Sequence, residues 1–345
     1  MSLPNFDPWW RAVCADLDAG AAPAAACVIR RGPRTLFAGC HGWATTLPQP
    51  EPLRPCQRFD LASVTKAVAT TTLALSLWQD GDLDLDALLS AAAPALLAPG
   101  HALGGLTPRL LLTHQSGLPA CGDFYRRCPD RAAVRAAVLA TPLERDPGSE
   151  AVYSDVGFLL LGFVLERLAG RRLDELFAER LARPLGLAAE LGYGPIPLAD
   201  AVATEVCAWR GRLVRGEVHD ENARACDHVA GHAGLFGTAG ALAEFGARLL
   251  AGQILAPATL AEMLRPRADV AAGRFHLGWK RFDYESGDPR CFGHDGFTGT
   301  LLWLSPANDL TVVLLTNRVH PSRANRRLND LRPGWLTQAV ALARA

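Results

Sequence analysis

The chain has 345 residues, 49% of them apolar, and its 35 basic side chains balance its 35 acidic ones. This length allows two or three domains, and the apolar fraction is ample for a sizeable hydrophobic core. The chain contains no block of about five like charges, so it gives no indication of a nucleic-acid partner. It also lacks a run of about 18 apolar residues, which excludes a membrane-spanning helix of the usual kind.

The N-terminus and the cysteines bear on the compartment and on metal binding. The first ten residues lack a charged region followed by an apolar one, so we expect a cytoplasmic protein, or an exported one if a leader has been removed. The nine cysteines are scattered and include no Cys-x-x-Cys pair. That pattern predicts mostly small buried thiols in a reducing compartment rather than disulfides or a zinc site. We expect no cofactor and no metal.

The first 60 residues predict a helix followed by the opening of a sheet. The helix is expected around Phe6–Leu17. Two strand-like runs follow, Ala24–Arg30 and Thr35–Gly42, and Arg31-Gly32-Pro33 supplies the turn between them.

The segment from Ser63 to about Trp78 is apolar or small nearly all round, which is typical of a helix buried on every side. It carries Lys66, one of only two lysines in a chain with 33 arginines. An ammonium inside such a helix is costly unless it has partners, and unlike a guanidinium it can lose its proton. Because residues three apart are neighbours on a helix, the Lys66 amine can reach the Ser63 hydroxyl. The pair has the form of a serine nucleophile with its activator.

Helical patterns dominate the middle of the chain, from Leu83 to about Leu264, with connectors rich in Pro and Gly. The predicted helices include Arg131–Ala140, Val156–Ala169 and Leu173–Arg183. We therefore expect a mostly helical region here.

Tyr153-Ser154-Asp155 directly precedes one of these helices, so its polar side chains can project from the helix start. Taken alone, the segment is more simply interpreted as an N-cap, Asp155 or Ser154, beside a half-buried aromatic ring. Its value as a site therefore depends on the other motifs.

After Phe275 the pattern changes to strands. The predicted strands are Leu277–Asp283, Arg290–His294, Thr300–Leu304 and Leu310–Leu315, and a final helix is expected over Pro333–Arg344. Strands at both ends with helices between them imply an α+β fold, in which both termini build one antiparallel sheet flanked by helices. We predict a sheet domain from residues 1–62 and 270–345, a mainly helical domain from 63–269, and an active site at their junction.

Gly293-His294-Asp295-Gly296-Phe297 lies on one of these C-terminal strands. Glycines inside a strand indicate the close approach of another backbone or of a ligand. Taken alone, His294 is more simply interpreted as a histidine whose hydrogen bonds are satisfied within the sheet.

Together, these segments resemble the signature of the serine β-lactamases and penicillin-binding proteins, in particular their class C β-lactamase, DD-peptidase and esterase branch. The family has Ser-x-x-Lys, Tyr-x-Asn and either Lys-Thr-Gly or His-x-Gly. The chain has Ser63-Val-Thr-Lys66, Tyr153-Ser-Asp155 and His294-Asp-Gly296 in the same order. The flanking segments 106–119, 147–155 and 177–187 are also similar. The resemblance spans roughly residue 24 to the end, and it implies the β-lactamase/transpeptidase-like fold.

The resemblance implies a serine hydrolase in which Ser63 attacks a carbonyl to give an acyl-enzyme, which water or another acceptor then resolves. Lys66 and Tyr153 would share the general acid–base work, and the backbone amides of Ser63 and Phe297 would form the oxyanion hole. The partner would be a small-molecule or peptidoglycan-derived substrate. Residues 219–222 and 231–236 also resemble a bacterial subgroup associated with cell-wall and muropeptide turnover.

Two departures from the family pattern bear on the substrate. Asp155 stands where the family has Asn, and an ionised carboxylate only accepts hydrogen bonds. Asp155 can therefore hold Lys66 charged, which transfers more of the base's role to Tyr153. His294 stands where β-lactamases have the sheet lysine that helps to bind the substrate carboxylate, and near pH 7 a histidine is a part-time cation at best.

These departures favour esters or amides without that carboxylate over penicillins and terminal D-Ala-D-Ala. A DD-carboxypeptidase, a muropeptide amidase and a true β-lactamase remain as alternatives. The choice is expected to depend on the loops around four residues: Phe124, Tyr125, Trp209 and Glu221. The sequence gives no indication of the oligomeric state.

Three other classes of protein are less well supported. None of the ten serines lies in Gly-x-Ser-x-Gly, which argues against an α/β-hydrolase. A non-catalytic module of the same fold would be expected to lack the serine, lysine or tyrosine, and all three are present. A metallo-hydrolase would need a site built from His219, Asp227, His228 and His232. However, Gly231 and Gly234 disfavour a regular helix there, and no Glu follows His228 in the zincin spacing.

Overall fold

The structure is a computed structural model that describes residues 4–266, 275–282 and 290–345. Within these residues the strands are β1 (Ala24–Arg31), β2 (Arg34–Thr45), β3 (Glu51–Pro52), β4 (Phe59–Asp60), β5 (Leu191–Tyr193), β6 (Val206–Cys207), β7 (Arg212–Leu213), β8 (Leu235–Gly237), β9 (Lys280–Arg281), β10 (Phe292–Asp295), β11 (Leu301–Ser305) and β12 (Leu310–Thr316). The helices are α1 (Asp7–Asp18), α2 (Thr72–Asp80), α3 (Leu89–Ala92), α4 (Pro108–Leu112), α5 (Arg131–Leu139), α6 (Asp155–Ala169), α7 (Leu173–Phe177), α8 (Glu221–Ala225), α9 (Ala239–Leu250), α10 (Pro257–Met263) and α11 (Arg327–Arg344). Two π-helical stretches cover Lys66–Thr71 and Ala178–Ala182. None of these described helices combines the length and the apolar character that crossing a membrane requires.

Within the described residues, both ends of the chain build one seven-stranded antiparallel sheet. Its strand order is β3-β2-β1-β12-β11-β10-β9, so the N-terminal hairpin β1–β2 lies beside the C-terminal strand β12. Ala25 pairs with Thr316 at one end of the β1–β12 ladder, and Arg31 pairs with Leu310 at the other. The predicted fold class is therefore confirmed.

Helices cover both faces of the sheet because the side chains of its strands alternate. Val312 and Leu314 of β12 belong to the core that lies under α1 and α11, whereas Val313 belongs to a larger core on the opposite face, which α9 covers. Gly246 of α9 approaches the sheet so closely that a Cβ there would come within 2.7 Å of the Thr311 side chain. The larger core continues from α9 into the helical middle of the chain.

Two buried helical segments form the centre of that middle region. The stretch Lys66–Thr71 is buried on every side, as its sequence predicts, and α6 contains the unbroken buried run Val156–Leu165. A second sheet, with the strand order β4-β8-β5, joins this region. Strands of two or three residues carry no alternating pattern, so the sequence does not reveal them.

Two predicted element boundaries differ from the structure. The final helix begins at Arg327 rather than Pro333, because Leu328 is fully buried against the sheet and holds the additional turns. The strand predicted over 277–283 is reduced to β9, because Gly278 has a φ of 68° and interrupts the extended backbone. The last residue of that predicted strand, Asp283, lies outside the described residues. The division into two domains stays a prediction, although α9 from the helical segment packs on the sheet.

Candidate active site

Ser63 lies in a tight turn directly after β4. The residue before it, Ala62, has a φ of 47°, which is uncommon for a residue with a side chain and indicates local strain. The buried carboxylate of Asp60 holds this conformation. Its Oδ1 accepts a hydrogen bond from the Ala62 amide at 2.8 Å, and its Oδ2 accepts one from the His219 amide at 2.6 Å. The turn leaves Ser63 half-buried rather than packed in the core.

Lys66 is fully buried at the start of the π-helical stretch. Its Nζ lies 3.1 Å from Ser63 Oγ, 2.7 Å from Asp155 Oδ1 and 3.4 Å from the carbonyl oxygen of His232. It also lies 4.8 Å from the centre of the Tyr153 ring. An ammonium has three protons to donate, so each of them has an acceptor here.

The groups around Lys66 decide its protonation. Burial alone would lower the pKa of the amine, but Asp155 and Tyr153 outweigh burial and hold the pKa above the ordinary lysine value. Lys66 is therefore an ammonium at neutral pH. A charged Lys66 is also what the sequence predicts, because Asp155 stands where the family has Asn.

The start of α6 positions Tyr153 and Asp155. Ser154 is the N-cap, since its Oγ accepts a hydrogen bond from the Gly157 amide at 2.9 Å. The Ser154 amide in turn donates to Nδ1 of His114 at 3.1 Å, and the His114 ring packs 4.7 Å from the Tyr153 ring. The N-cap interpretation is therefore correct for Ser154, and the cap leaves the side chains on either side of it to face the ammonium. His114, which the sequence marks only as part of a similar flanking segment, is a positioning residue that sequence reasoning missed.

His294 is buried on β10, and its two ring nitrogens are in different states. Nδ1 lies 2.8 Å from the carbonyl oxygen of Asp295 and therefore donates, whereas Nε2 has no hydrogen-bond partner among the described residues. Burial, assisted by the positive charges of Lys280 and Lys66, lowers the pKa of His294 to about 3. A buried imidazole near two ammonium groups stays neutral at pH 7, which agrees with the expectation that His294 is a part-time cation at best.

The larger share of the positive charge beside His294 comes from Lys280, which sequence reasoning missed. Lys280 lies on β9, next to β10, and its Nζ is 5.1 Å from the centre of the Tyr153 ring. Its ammonium forms an ion pair with Asp295, whose other carboxylate oxygen lies 2.9 Å from Arg332. Both lysines of the chain therefore lie beside one tyrosine. The rarity of lysine was a signal that applied to both of them.

The segment after β10 packs against the turn that carries Ser63. Thr300 Oγ1 donates a hydrogen bond to the carbonyl oxygen of Leu61 at 3.0 Å. Within the described part of the chain, the amides of Ser63 and Phe297 donate no hydrogen bond. These are the amides that the family resemblance assigns to the oxyanion hole, and neither has an acceptor among the described residues.

Gly296 permits this close approach, so we expect Gly296→Ala to disturb it. A Cβ at this position would lie 2.6 Å from the Leu61 carbonyl oxygen and 2.2 Å from Thr300 Oγ1. The added methyl group should push the loop away from Ser63 and lower kcat for ester hydrolysis by about 10–100-fold. Gly334→Ala is the control, since a Cβ there meets no atom within 4 Å. If steady-state kinetics give an unchanged kcat for Gly296→Ala, this contact does not position the site.

The alternative metal site is not assembled in the part of the chain that the structure describes. The four residues that would form it come together in no ligand cluster: His219, Asp227, His228 and His232. His232 Nε2 instead lies 2.8 Å from Asp220 Oδ1, and the His219 ring stacks on Phe297 with 5.7 Å between ring centres. The group that does lie within ligand distance is Glu205, Cys207 and Glu221, and Arg323 pairs with both of its carboxylates.

With this geometry established, comparison with known proteins defines the class. The Beta-lactamase family model matches residues 10–333, which is nearly the whole chain. The chain belongs to the beta-lactamase family, and it is a serine hydrolase of that family. The resemblance seen in its motifs is thereby confirmed.

The names of individual similar proteins refer to different activities. A protein of Escherichia coli (strain K12) named "Putative D-alanyl-D-alanine carboxypeptidase" is 31% identical over 316 residues, which cover 79% of this chain and 71% of that protein. The structure of EstCE1, described as a hydrolase with promiscuous acyltransferase activity, is similar with a TM-score of 0.78 and 24% identity, over 97% of this chain and 98% of its own. The structure of SurE is similar with a TM-score of 0.73 and 26% identity, over 97% of this chain and 76% of its own. The similarity to EstCE1 shows the fold.

Proposed function

We propose that this chain hydrolyses carboxylic esters or amides through an acyl-enzyme on Ser63. The observation that carries the proposal is the 3.1 Å contact between Ser63 Oγ and the buried Lys66 ammonium, which Asp155 and Tyr153 also face. An ammonium that Asp155 keeps charged can orient the serine but cannot accept its proton. Tyr153 is then the group that receives the proton.

The reaction has an acylation half and a hydrolysis half. Ser63 Oγ attacks the substrate carbonyl while its proton passes to the phenolate oxygen of Tyr153, and the amides of Ser63 and Phe297 bind the oxyanion. The tetrahedral intermediate expels the alcohol or amine, which takes the proton from Tyr153. Water then attacks the acyl-enzyme and gives a proton to Tyr153, which returns it to Ser63 as the acid leaves. The ammonium groups of Lys66 and Lys280 offset the negative charge of the phenolate form.

The state of His294 favours substrates without a carboxylate beside the scissile bond. The neutral imidazole offers a hydrogen-bond acceptor, Nε2, and no positive charge. A substrate N–H or O–H matches that acceptor, whereas a carboxylate only accepts hydrogen bonds. The proposed activity is therefore that of an esterase or amidase.

A D-alanyl-D-alanine carboxypeptidase is the second candidate. The name of the Escherichia coli relative suggests it. Lys280 also supports it, since this ammonium lies near His294 and a terminal carboxylate needs a positive charge there. We place it second because Asp295 already pairs with Lys280.

Two measurements test the proposal. Intact mass spectrometry after fluorophosphonate treatment should show one adduct that is absent in Ser63→Ala, and a folded wild-type protein without the adduct would defeat the proposal. A panel of p-nitrophenyl butyrate, a peptide ending in D-Ala-D-Ala, a muramyl amide and nitrocefin then separates the candidates. We expect the ester to be hydrolysed fastest and nitrocefin slowly or not at all. Efficient release of D-alanine would favour the second candidate.

A further inference from the structure

A pocket of about 330 Å³ lies between the loop around Tyr125 and the hairpin formed by β6 and β7. Substrate choice is expected to depend on the loops that carry Tyr125 and Trp209, and here the two loops meet. We call this cavity the arginine pocket, and the lining residues that matter below are Tyr125, Pro129, Trp209, Arg210, Arg212 and Arg224.

Two aromatic rings form one wall of the arginine pocket. The ring centres of Tyr125 and Trp209 are 5.0 Å apart in an edge-to-face arrangement. Asn222 fixes the first loop, because its side chain accepts a hydrogen bond from the Tyr125 amide at 3.1 Å and donates one to the Gly122 carbonyl oxygen at 2.7 Å. Gly211, with a φ of 66°, makes the hairpin turn that carries Trp209. The aromatic wall is therefore held in place by the protein itself.

The rest of the wall is positively charged. Arg212 and Arg224 share a single carboxylate, that of Glu217, at 2.5 and 3.4 Å. Nε and Nη1 of Arg210 are buried and have no hydrogen-bond acceptor among the described residues. Three guanidinium groups and one carboxylate give this group of side chains a net charge of +2, three minus one. An anion is the ligand that such a wall attracts.

A short series of contacts connects the arginine pocket with the candidate active site. Arg210 Nη2 donates a hydrogen bond to the carbonyl oxygen of His219 at 3.2 Å. The next residue, Asp220, contacts Nε2 of His232 at 2.8 Å through its carboxylate. The carbonyl oxygen of His232 in turn accepts a hydrogen bond from Lys66 Nζ at 3.4 Å. These contacts link the wall of the arginine pocket, through buried groups, to the Lys66 ammonium of the candidate site.

We propose that the arginine pocket binds a carboxylate that the substrate carries away from its scissile bond, on an apolar or aromatic group that packs against Tyr125 and Trp209. The inference rests on the proposed function for the reaction and adds the substrate class, an ester or amide with a remote carboxylate. A planar carboxylate matches the paired N–H donors of a guanidinium. A neutral His294 at the reacting end and a cationic pocket at the far end suit a substrate that is uncharged beside its scissile bond and negatively charged at its other end.

The kinetic test uses mono-p-nitrophenyl esters of adipic, suberic and sebacic acid, each compared with its ω-methyl ester. For the chain length that fits best, kcat/KM of the free acid should exceed that of the methyl ester by at least about tenfold, because the methyl ester loses charge-assisted hydrogen bonds. In the double variant Arg212→Met/Arg224→Met the ratio should fall towards one. Arg171→Met removes an exposed arginine that pairs with Glu179 outside the pocket, so it should leave the ratio unchanged. A ratio near one in the wild-type protein, or an unaltered ratio in the double variant, would overturn the inference.

A binding measurement separates this inference from the proposed function. Ser63→Ala protein, which needs no catalysis for this purpose, is titrated calorimetrically with phenylacetate and with phenylacetamide. We expect roughly millimolar binding of phenylacetate, binding of the amide at least about fivefold weaker, and loss of the difference in the double variant. If the esters are not hydrolysed but phenylacetate binds in this way, the proposed function fails and the pocket assignment stands. Equal binding of the two probes, or a difference that survives in the double variant, would refute the assignment.

Discussion

Replacing Lys66 with arginine is expected to lower kcat/KM for p-nitrophenyl butyrate by at least about 10³, although the positive charge is kept. The side chain is fully buried, and its Nζ fits among acceptors that are 2.7, 3.1 and 3.4 Å away. A guanidinium is larger than an ammonium, and its donors are fixed in a planar fork. It cannot serve Ser63, Asp155 and the His232 carbonyl from one position, so Ser63 loses its orientation. Steady-state kinetics and fluorophosphonate labelling both measure this loss.

Lys280→Arg is the matched control, because Lys280 is the one other lysine in the chain. Lys280 is half-buried and pairs with Asp295, and a guanidinium can form the same ion pair. We expect its kcat/KM to change by less than about tenfold. A Lys66→Arg variant with nearly normal kcat/KM would contradict the role proposed for Lys66. Equal losses in both variants would mean that the site tolerates arginine at neither position.

Replacing Tyr153 with phenylalanine is expected to lower kcat by about 10²–10⁴, which is the usual contribution of a general acid–base group. The substitution keeps the ring that packs against His114 and lies near both ammonium groups, and it removes the oxygen. The loss should appear in kcat more than in KM, because the proton transfer belongs to the transition state. Single-turnover kinetics with p-nitrophenyl butyrate measure the acylation step directly.

Tyr193→Phe provides the control for this substitution. The Tyr193 hydroxyl donates a hydrogen bond to the carbonyl oxygen of Ala230, and Tyr193 has no proposed catalytic role. We expect kcat for this variant to stay near the wild-type value, with a modest loss of stability for the missing hydrogen bond. Acylation by Tyr153→Phe at the wild-type rate would exclude Tyr153 as the proton acceptor.

Local patterns in the sequence were sufficient to predict the helices and strands that form through contacts between neighbouring residues. The N-terminal helix and the β1–β2 hairpin occur within a few residues of their predicted bounds, because residue type and turn chemistry act over neighbouring positions. The start of α11 was not predictable in this way. It depends on the burial of Leu328 against a sheet whose strands lie elsewhere in the chain.

The same distinction between local and long-range contacts applies to the candidate site. The contact between Ser63 and Lys66 follows from their separation of three positions in a helical segment. Lys280 reaches Tyr153 only because β9 pairs with β10, and no local pattern records that pairing. The neutral state of His294 likewise depends on burial and on two ammonium groups that are far from it in the sequence but near it in the fold. The sequence alone does not show this proximity.

The pH dependence of kcat/KM for Asp155→Asn is the most direct test of the central claim, that Asp155 holds Lys66 as an ammonium while Tyr153 takes the proton. An amide stabilises the ammonium less than a carboxylate does, so the pKa of Lys66 should fall in the variant. We predict a lower kcat/KM at pH 7 and an alkaline limb that moves to lower pH, because the active form requires a protonated Lys66. A higher kcat/KM at pH 7, with an acidic limb at lower pH than in the wild-type protein, would show instead that the free amine of Lys66 is the base.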